Sequence, residues 1–314
     1  MILLTQYTLI FASILILVAL GGCVSEHSGV INLGLEGIMV IGALGGALVM
    51  KYLPAGTSPF VIVILTMMAA IVAGTVYSSL LAVACINFKA DQTIIGTALN
   101  LLGVAAATVA VKAINIAEDP NNTSSEIVYR EGRQAFLTDI GGFELNVFMI
   151  IAFVVLIGIA VMLYKTRFGL RLMACGEHPQ AADSVGINVY KMRWAGVLLS
   201  GALGGLGGIV YITAGVSQWM FEHGVAGFGF LALAVMIFGQ WKPKHIAWAA
   251  LLFGFFRALG NVHSGFDFLK ALDLPSGVYN MLPYAVSLIV LAFTSKRSRA
   301  PKAEGIPYDK GSRS

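Results

Sequence analysis

LNVFMIIAFVVLIGIAVMLY, residues 145–164, contains no Asp, Glu, Lys or Arg in twenty positions and is closed by Glu144 before it and Lys165 after it. A helix needs about 20 mainly apolar residues to cross a bilayer. The stretch is one span in length and composition. It does not alternate polar with apolar, as a lipid-facing barrel strand would. Inside lipid a backbone must satisfy its own hydrogen bonds, so the run predicts a helix. The same pattern recurs. Charge-free runs cover 1–25, 52–88, 92–111, 194–221, 223–241 and 274–295, and shorter ones cover 37–50 and 245–256. Of the 314 residues, 58% are hydrophobic and 11% charged. A soluble globular chain carries about 25% charged residues, so this one has too few to cover a water-facing surface. The reading is an all-α integral membrane protein with about nine spans, near 4–22, 29–50, 60–86, 93–113, 145–164, 194–213, 226–240, 245–262 and 278–295.

The two flanks of 145–164 orient it. The loop after it, 165–193, holds Lys165, Arg167, Arg171, Lys191 and Arg193, and the tail 296–314 holds Lys296, Arg297, Arg299, Lys302, Lys310 and Arg313. Basic loops stay in the cytoplasm. The loop before it, 114–144, is acidic, with Glu118, Asp119, Glu126, Glu131, Asp139 and Glu144 against Arg130 and Arg133. It reads as external. Nine crossings then put the N-terminus outside and the C-terminus inside, with residues 1–295 as one polytopic domain followed by a basic cytoplasmic tail. The net charge of +4 is an orientation signal and calls for no nucleic-acid partner. With no basic residue before Leu20-Gly21-Gly22-Cys23, the first segment reads as a retained helix rather than a cleaved leader.

Catalytic chemistry finds no footing. Cys23, Cys85 and Cys175 are scattered, without metal or disulfide spacing. His27, His178, His223, His245 and His263 are dispersed, so no catalytic or metal constellation and no cofactor is expected. The chain has no phosphate-cradling G-x-x-x-x-G-K-S/T loop. Any ATP that drives it is hydrolysed on another subunit.

Thirty-six glycines cluster. Gly196, Gly201, Gly204, Gly205, Gly207 and Gly208 form one cluster, in which Gly201/Gly205 and Gly204/Gly208 are overlapping G-x-x-x-G pairs, the spacing that lets helices approach closely in lipid. A cluster from Gly29 to Gly46 flanks Asn32 and Glu36, and one from Gly215 to Gly239 flanks Glu222 and His223. Glycine-interrupted segments at matching places in two inverted halves point to a transporter's midplane pathway. A carboxylate at membrane depth costs on the order of 3 kcal/mol and so faces protein or water. Glu36 is therefore either a pathway group or the cap of a broken helix, and Asn100 either a pathway group or helix–helix glue. Arg257 reads as an outer-end snorkelling residue or, failing that, a solute contact.

Loop 165–193 contains Gly176-Glu177-His178-Pro179-Gln180-Ala181-Ala182-Asp183-Ser184-Val185-Gly186-Ile187. Pro179 suits the first helical position and Gly186 the position just past the end. A two-turn, small-sided helix at the membrane face fits a groove on a partner, or serves as a plain connector.

This stretch resembles the coupling region of ABC importer permeases of the ribose/branched-chain amino acid class, where the motif is close to G-x-N-P-x-A-A-x-x-x-G-I; His178 stands where Asn is common. Asn32-Leu33-Gly34-Leu35-Glu36-Gly37-Ile38-Met39 resembles the N-(I/L)-G-L-E-G-M-M signature of nucleoside-type permeases. Asp91-Gln92-Thr93-Ile94-Ile95-Gly96-Thr97-Ala98-Leu99-Asn100-Leu101-Leu102 resembles their D-Q-x-I-x-G-x-A-L-N-L-L element, and Gly305-Ile306-Pro307-Tyr308 their terminal G-x-P-Y. The resemblance implies a type II ABC importer permease. It would work in a bacterial cell membrane with ABC ATPase subunits, a second permease (a copy or a paralogue) and an extracytoplasmic solute-binding lipoprotein. It makes Gly176, Glu177, His178, Pro179, Ala181, Ala182, Asp183 and Gly186 the ATPase-coupling residues. For a small-molecule solute such as a nucleoside, Asn32, Glu36, Gln92 and Asn100 can supply polar contacts, and Phe228 or Phe230 a flat apolar surface. A simple-sugar or branched-chain amino acid permease, and a self-contained carrier relaying protons through Glu36, are the alternatives.

Overall fold

The computed structural model describes residues 2–128, 135–141, 143–215, 219–262, 276–294 and 299–310. Each expected span has its helix. They are α1 (Ile2–His27), α2 (Leu35–Tyr52), α3 (Pro59–Ala82, continued by a π turn, Val83–Asn87) and α4 (Gln92–Glu118). The rest, after a hairpin of β1 (Leu137–Ile140) and β2 (Phe143–Asn146), are α5 (Val147–Lys165), α6 (Arg167–Glu177), α7 (Pro179–Ser184), α8 (Val189–Val210, continued by a π turn, Tyr211–Gly215), α9 (Phe228–Phe238), α10 (Pro243–Val262) and α11 (Ser276–Thr294). Eight helical segments are long and apolar enough to cross a bilayer, and α11, with Pro283 inside it, supplies the ninth expected span.

The starts of these helices are written in side chains. Pro59 follows Ser58, whose hydroxyl accepts from Val61 N. Asp91 accepts from Thr93 N and Ile94 N, both at 2.9 Å. Asn146, Thr166 and Asn188 do the same for α5, α6 and α8. Such caps contribute about 1 kcal/mol each.

Helix α1 is hydrophobic all round, which in a bundle means it is the axis. Nine-tenths of its most apolar window is buried, against about a fifth for α5. It packs on α8, α10, α9 and α5. The outer faces of α3, α4 and α5 expose Val72, Val76, Ile94, Val109, Phe153 and Val154, the surface a lipid solvent accommodates. Helices α2, α3 and α8 meet through their glycines. A Cβ built at Gly42 would lie 2.2 Å from Gly205 Cα, and one at Gly74 would lie 2.4 Å from Gly201 O. Backbones touch there, as the G-x-x-x-G spacing predicts.

The structure amends several expectations. The second span begins at Leu35 instead of 29, because residues 28–34 form a non-helical break. The seventh span is short, with a 3-10 turn at Phe221–His223 ahead of α9. Loop 165–193 is mostly helical, holding α6 and α7 and the start of α8. Loop 114–144 carries a β-hairpin, with Leu137 opposite Asn146 and Asp139 opposite Glu144. These two regions lie at opposite ends of α5. Of the charges used for orientation, Arg130, Glu131, Arg133, Lys296, Arg297 and Arg313 lie outside the described residues, as does His263.

Candidate functional site

The break at 28–34 sits among buried residues, so every polar backbone group needs a partner. The sequence supplies them. Ser25 Oγ donates to Val30 O at 2.7 Å. Ile31 N donates to Gln92 Oε1 at 2.6 Å. Asn32 Oδ1 accepts from Gly34 N at 3.1 Å, and its Nδ2 donates to Ser200 Oγ at 2.8 Å. Asn100 Nδ2 donates to Leu33 O at 2.7 Å, while its Oδ1 accepts from Gly37 N at 2.9 Å. Three of the polar residues expected along the pathway, Asn32, Gln92 and Asn100, are thus clasps that hold the broken segment against α4 and α8.

Glu36 joins the two glycine-broken regions. Its Oε1 accepts from Gly227 N at 2.8 Å and its Oε2 from Gly229 N at 2.7 Å. The carboxylate occupies the N-terminus of α9, where unpaired N–H groups and the helix dipole favour negative charge. The approach is close: a Cβ at Gly229 would lie 2.5 Å from Glu36 N. Glu36 is thus a cap, though of a helix 190 residues away, and it also faces open space. A cavity of about 510 Å³ is lined by Glu36, Thr97, Asn100, Leu101, Val104, Ala105 and Phe230. Small-molecule sites run from roughly 300 to 1,000 Å³. The lining is overwhelmingly apolar, with Phe230 48% exposed. Phe228 is fully buried, against Phe11 and Tyr211, and Asn32 and Gln92 are not in the wall.

Two neighbours of this site, Tyr284 and Tyr211, escaped the sequence reading, and a third, Arg257, had another role there. Arg257 lies 5.4 Å from the Phe11 ring centre and 5.7 Å from that of Phe228, so its guanidinium sits on the aromatic floor of the Glu36 region. Tyr284 donates to Ala226 O at 3.0 Å, fixing the turn that presents Gly227 and Gly229. The Tyr211 ring lies 5.0 Å from that of Phe228, tilted by 54°. The only trace of this cluster in the sequence is the lone charge of Arg257 in an apolar helix.

On the side of the 28–34 break where α6 meets the end of α1, Pro179 occupies the first turn of α7 and Gly186 follows its end with φ +84°. A residue with a Cβ is strained at that φ. Glu177, His178 and Ala181 are exposed and Asp183 is partly so. Pro179 is buried. Ala182 turns inward, 4% exposed, in a cluster with Cys175, Val189 and Tyr308. Gly176 allows α6 to touch the end of α1: its Cβ would lie 2.4 Å from His27 O. Burial and the nearby Asp183 carboxylate push the Tyr308 phenol up to about 12, so it stays protonated. All three cysteines are free and buried.

Residues 4–292 match the family described as the branched-chain amino acid transport system / permease component. The guanosine ABC transporter permease protein NupQ of Bacillus subtilis is 40% identical over 316 residues, covering 98% of this chain and 96% of its own. The nucleoside ABC transporter permease protein NupC of Lactococcus lactis is 40% identical, covering 96% and 95%. NupB of the same organism, also named a nucleoside ABC transporter permease protein, is 27% identical over 76% and 67%. A chain of membrane-spanning helices around a buried polar clasp and an apolar cavity, matched along nearly its whole length, belongs to this family of ABC transporter permease components: it is a multi-pass, non-catalytic transport subunit.

Proposed function

We propose that this chain is the membrane-spanning permease subunit of an ATP-driven nucleoside importer. What carries the reading is the cavity of about 510 Å³ whose wall joins Glu36 and Asn100 to the exposed face of Phe230. A nucleoside needs donors and acceptors for its base and ribose plus a flat apolar or aromatic surface. The wall offers that balance, and the two relatives at 40% identity are named for guanosine and nucleoside transport. A free sugar would require a denser set of hydrogen-bonding groups.

In this reading Glu36 and Asn100 act mainly by shaping the path. Their bonds to Gly227, Gly229, Gly37 and Leu33 tie the broken segments into one gate. Helix α7 is the handle on which an ABC ATPase pushes. Its exposed Ala181 and the flanking Glu177 and His178 meet that partner, and Ala182 and Pro179 anchor it from behind. The gate then alternates between two states that ATP and solute bias differently. The N-terminus faces outward and α6–α7 the cytoplasm of a bacterial cell. A solute-binding lipoprotein delivers at the 114–144 side. The second permease is a paralogue, in keeping with NupB and NupC both occurring in one organism.

The test is uptake of radiolabelled guanosine, ribose and leucine in a strain lacking this chain and in the same strain complemented. Complementation restores guanosine uptake alone. Restored ribose or leucine uptake instead moves the protein to the other branches, and accumulation by the purified chain in liposomes without nucleotide rejects ATP coupling.

A further inference from the structure

Residues 299–310 read as a solvated basic tail, yet they lie bound across the α6–α7 face. Pro301, Ala303 and Tyr308 are buried. Ala303 N donates to Gly176 O at 2.8 Å, and Arg193 Nη1 donates to Ile306 O at 2.9 Å. The Tyr308 ring packs edge-on against Tyr190 at 5.3 Å, with the Arg193 guanidinium 5.9 Å from its centre. It fills the pocket behind Ala182. Lys310 lies 3.8 Å from the Asp183 carboxylate and Asp309 lies 3.1 Å from Lys89. Deeper in, Glu304 is hydrogen-bonded to Glu26 at the end of α1. Gly305 (φ +75°) sits over Ile31, inside the 28–34 break, where a Cβ would come within 2.9 Å.

Twelve residues therefore touch α7 through Tyr308 and Lys310 and, through Gly305, the break that leads into α2 and Glu36. A six-residue helix is too short to hold itself rigid. It can transmit a push only through what braces it. The apolar contact of Ala182 with Tyr308 supplies a stiff back wall, because packed side chains have two arrangements or one and do not deform smoothly. The Arg193 side chain is 1% exposed, and its Nε and Nη2 have no hydrogen-bond partner among the described residues. A buried guanidinium in that state is costly, and the strap's Ile306 carbonyl and Tyr308 ring offset part of the cost. Strap and Arg193 thus stabilise one another.

We propose that residues 299–310 are the brace that converts a push on α7 into movement of the 28–34 break, with Tyr308 and Arg193 as its positioning residues. The proposal rests on α7 being the ATPase handle, and the test separates the two.

The transporter, assembled with its ATPase and second permease, is prepared with the chain ending after Arg299, with Tyr308→Ala, with Tyr308→Phe and with Ala181→Trp. In the truncated and Tyr308→Ala forms the ATPase still co-purifies. Solute moved per ATP hydrolysed falls tenfold or more, and backbone amides of 179–190 exchange faster. Tyr308→Phe, which keeps the ring, recovers at least half of the coupling. Parental coupling in the truncated form, unchanged amide exchange, or loss of ATPase co-purification on Tyr308→Ala each overturns the brace. If Ala181→Trp leaves both co-purification and uptake intact, the handle reading itself fails. If Ala181→Trp blocks both while the strap variants are silent, only the brace fails.

Discussion

The Glu36 carboxylate spans Gly227 and Gly229: one oxygen takes the first amide at 2.8 Å and the other takes the second at 2.7 Å. One side chain at the start of α2 thereby closes the start of α9, and the two glycine-broken regions become a single clasp beside the cavity. Replacing Glu36 by Ala leaves the buried Gly229 N–H unpaired, at about 1–3 kcal/mol, and the half-buried Gly227 N–H at less. Glu36→Gln keeps one acceptor oxygen and forfeits the charge–dipole term of up to about 2 kcal/mol. The expected order of thermal stability in detergent is parent, Gln, Ala, with uptake falling in the same order. An Ala variant that melts with the parent would show that water or a rearranged turn satisfies those amides.

Close backbone contact between helices makes a second, sharper expectation. At Gly42 an added methyl meets the Gly205 Cα, which cannot rotate away; at Gly158, on the outer helix α5, it meets nothing within 4 Å among the described residues. Overpacking costs roughly 1–3 kcal/mol where side chains can yield, and more where backbone faces backbone. Gly42→Ala should cut the yield of folded, monodisperse protein several-fold, and Gly158→Ala should leave it within experimental scatter. Equal yields for both would mean that the α2–α8 contact is looser than described.

How much of this was readable in the chain depends on the range of the physics. Lipid removes water from the backbone, so each charge-free run of about 20 residues had to hold a helix, and among the described residues each one does, although the run 223–241 is helical only over Phe228–Phe238. Pro179 and Gly186 bracket α7 because φ constraints act locally. The partner of Glu36 was not readable: Gly227 and Gly229 are 190 residues away and carry no side chain to signal complementarity. Asn32 and Asn100 were recognisable as costly groups, but whether they face a solute or clasp a broken backbone depends on tertiary geometry. Arg193 counted as a basic loop residue and is instead buried, since the strap that covers it also looks basic and soluble; its anchors are the few apolar positions, Pro301, Ala303 and Tyr308. The hairpin at 137–146 was missed, because four-residue strands carry too little alternation to stand out.

The two alanines of α7 face opposite ways, and their substitutions should separate accordingly. Ala181 is exposed, so Ala181→Trp leaves the fold intact and blocks the partner: co-purification of the ATPase drops at least tenfold with an unchanged melting temperature. Ala182 is 4% exposed against Cys175, Val189 and Tyr308. Ala182→Trp overpacks that cluster, and it loosens the α6–α7 face, read as a lowered melting temperature and faster proteolysis near Lys302. If Ala181→Trp alone destabilises the protein, the inward and outward faces of α7 have been exchanged.

Within the cavity, Leu101 is 76% exposed and Phe230 48% exposed, and both line the wall. Leu101→Trp fills the space without disturbing the Asn100 clasp on its other side, so uptake should fall at least tenfold while ATPase co-purification persists. Phe230→Ala removes the aromatic surface. If a base stacks there, the loss is about 1–3 kcal/mol per base by analogy with other aromatic platforms, or roughly ten- to a hundredfold in apparent affinity. The loss should be larger for guanosine than for ribose as competitor. Equal effects on both would remove the base from the Phe230 face.

The strap carries its own pH dependence through Glu304. Burial is the main influence on this carboxyl and raises its pKa above the ordinary 4.5, while its hydrogen bond to Glu26 pulls the other way. A raised folded-state pKa means that the docked strap binds more protons than the released one. Its contribution to docking is therefore fully present below pH 4.5 and is lost as pH rises through the raised value. Facing it are Glu26 and, beyond the hydrogen bond from Trp241 to Glu26, the ring of His27. Amide exchange of residues 300–308 in the assembled protein should accelerate as pH rises through that window, after correction for intrinsic rates. Glu304→Gln stays neutral and removes the trend while keeping the side chain's length. A strap whose protection grows with pH, or a Gln variant with the parental slope, would place the titrating group elsewhere.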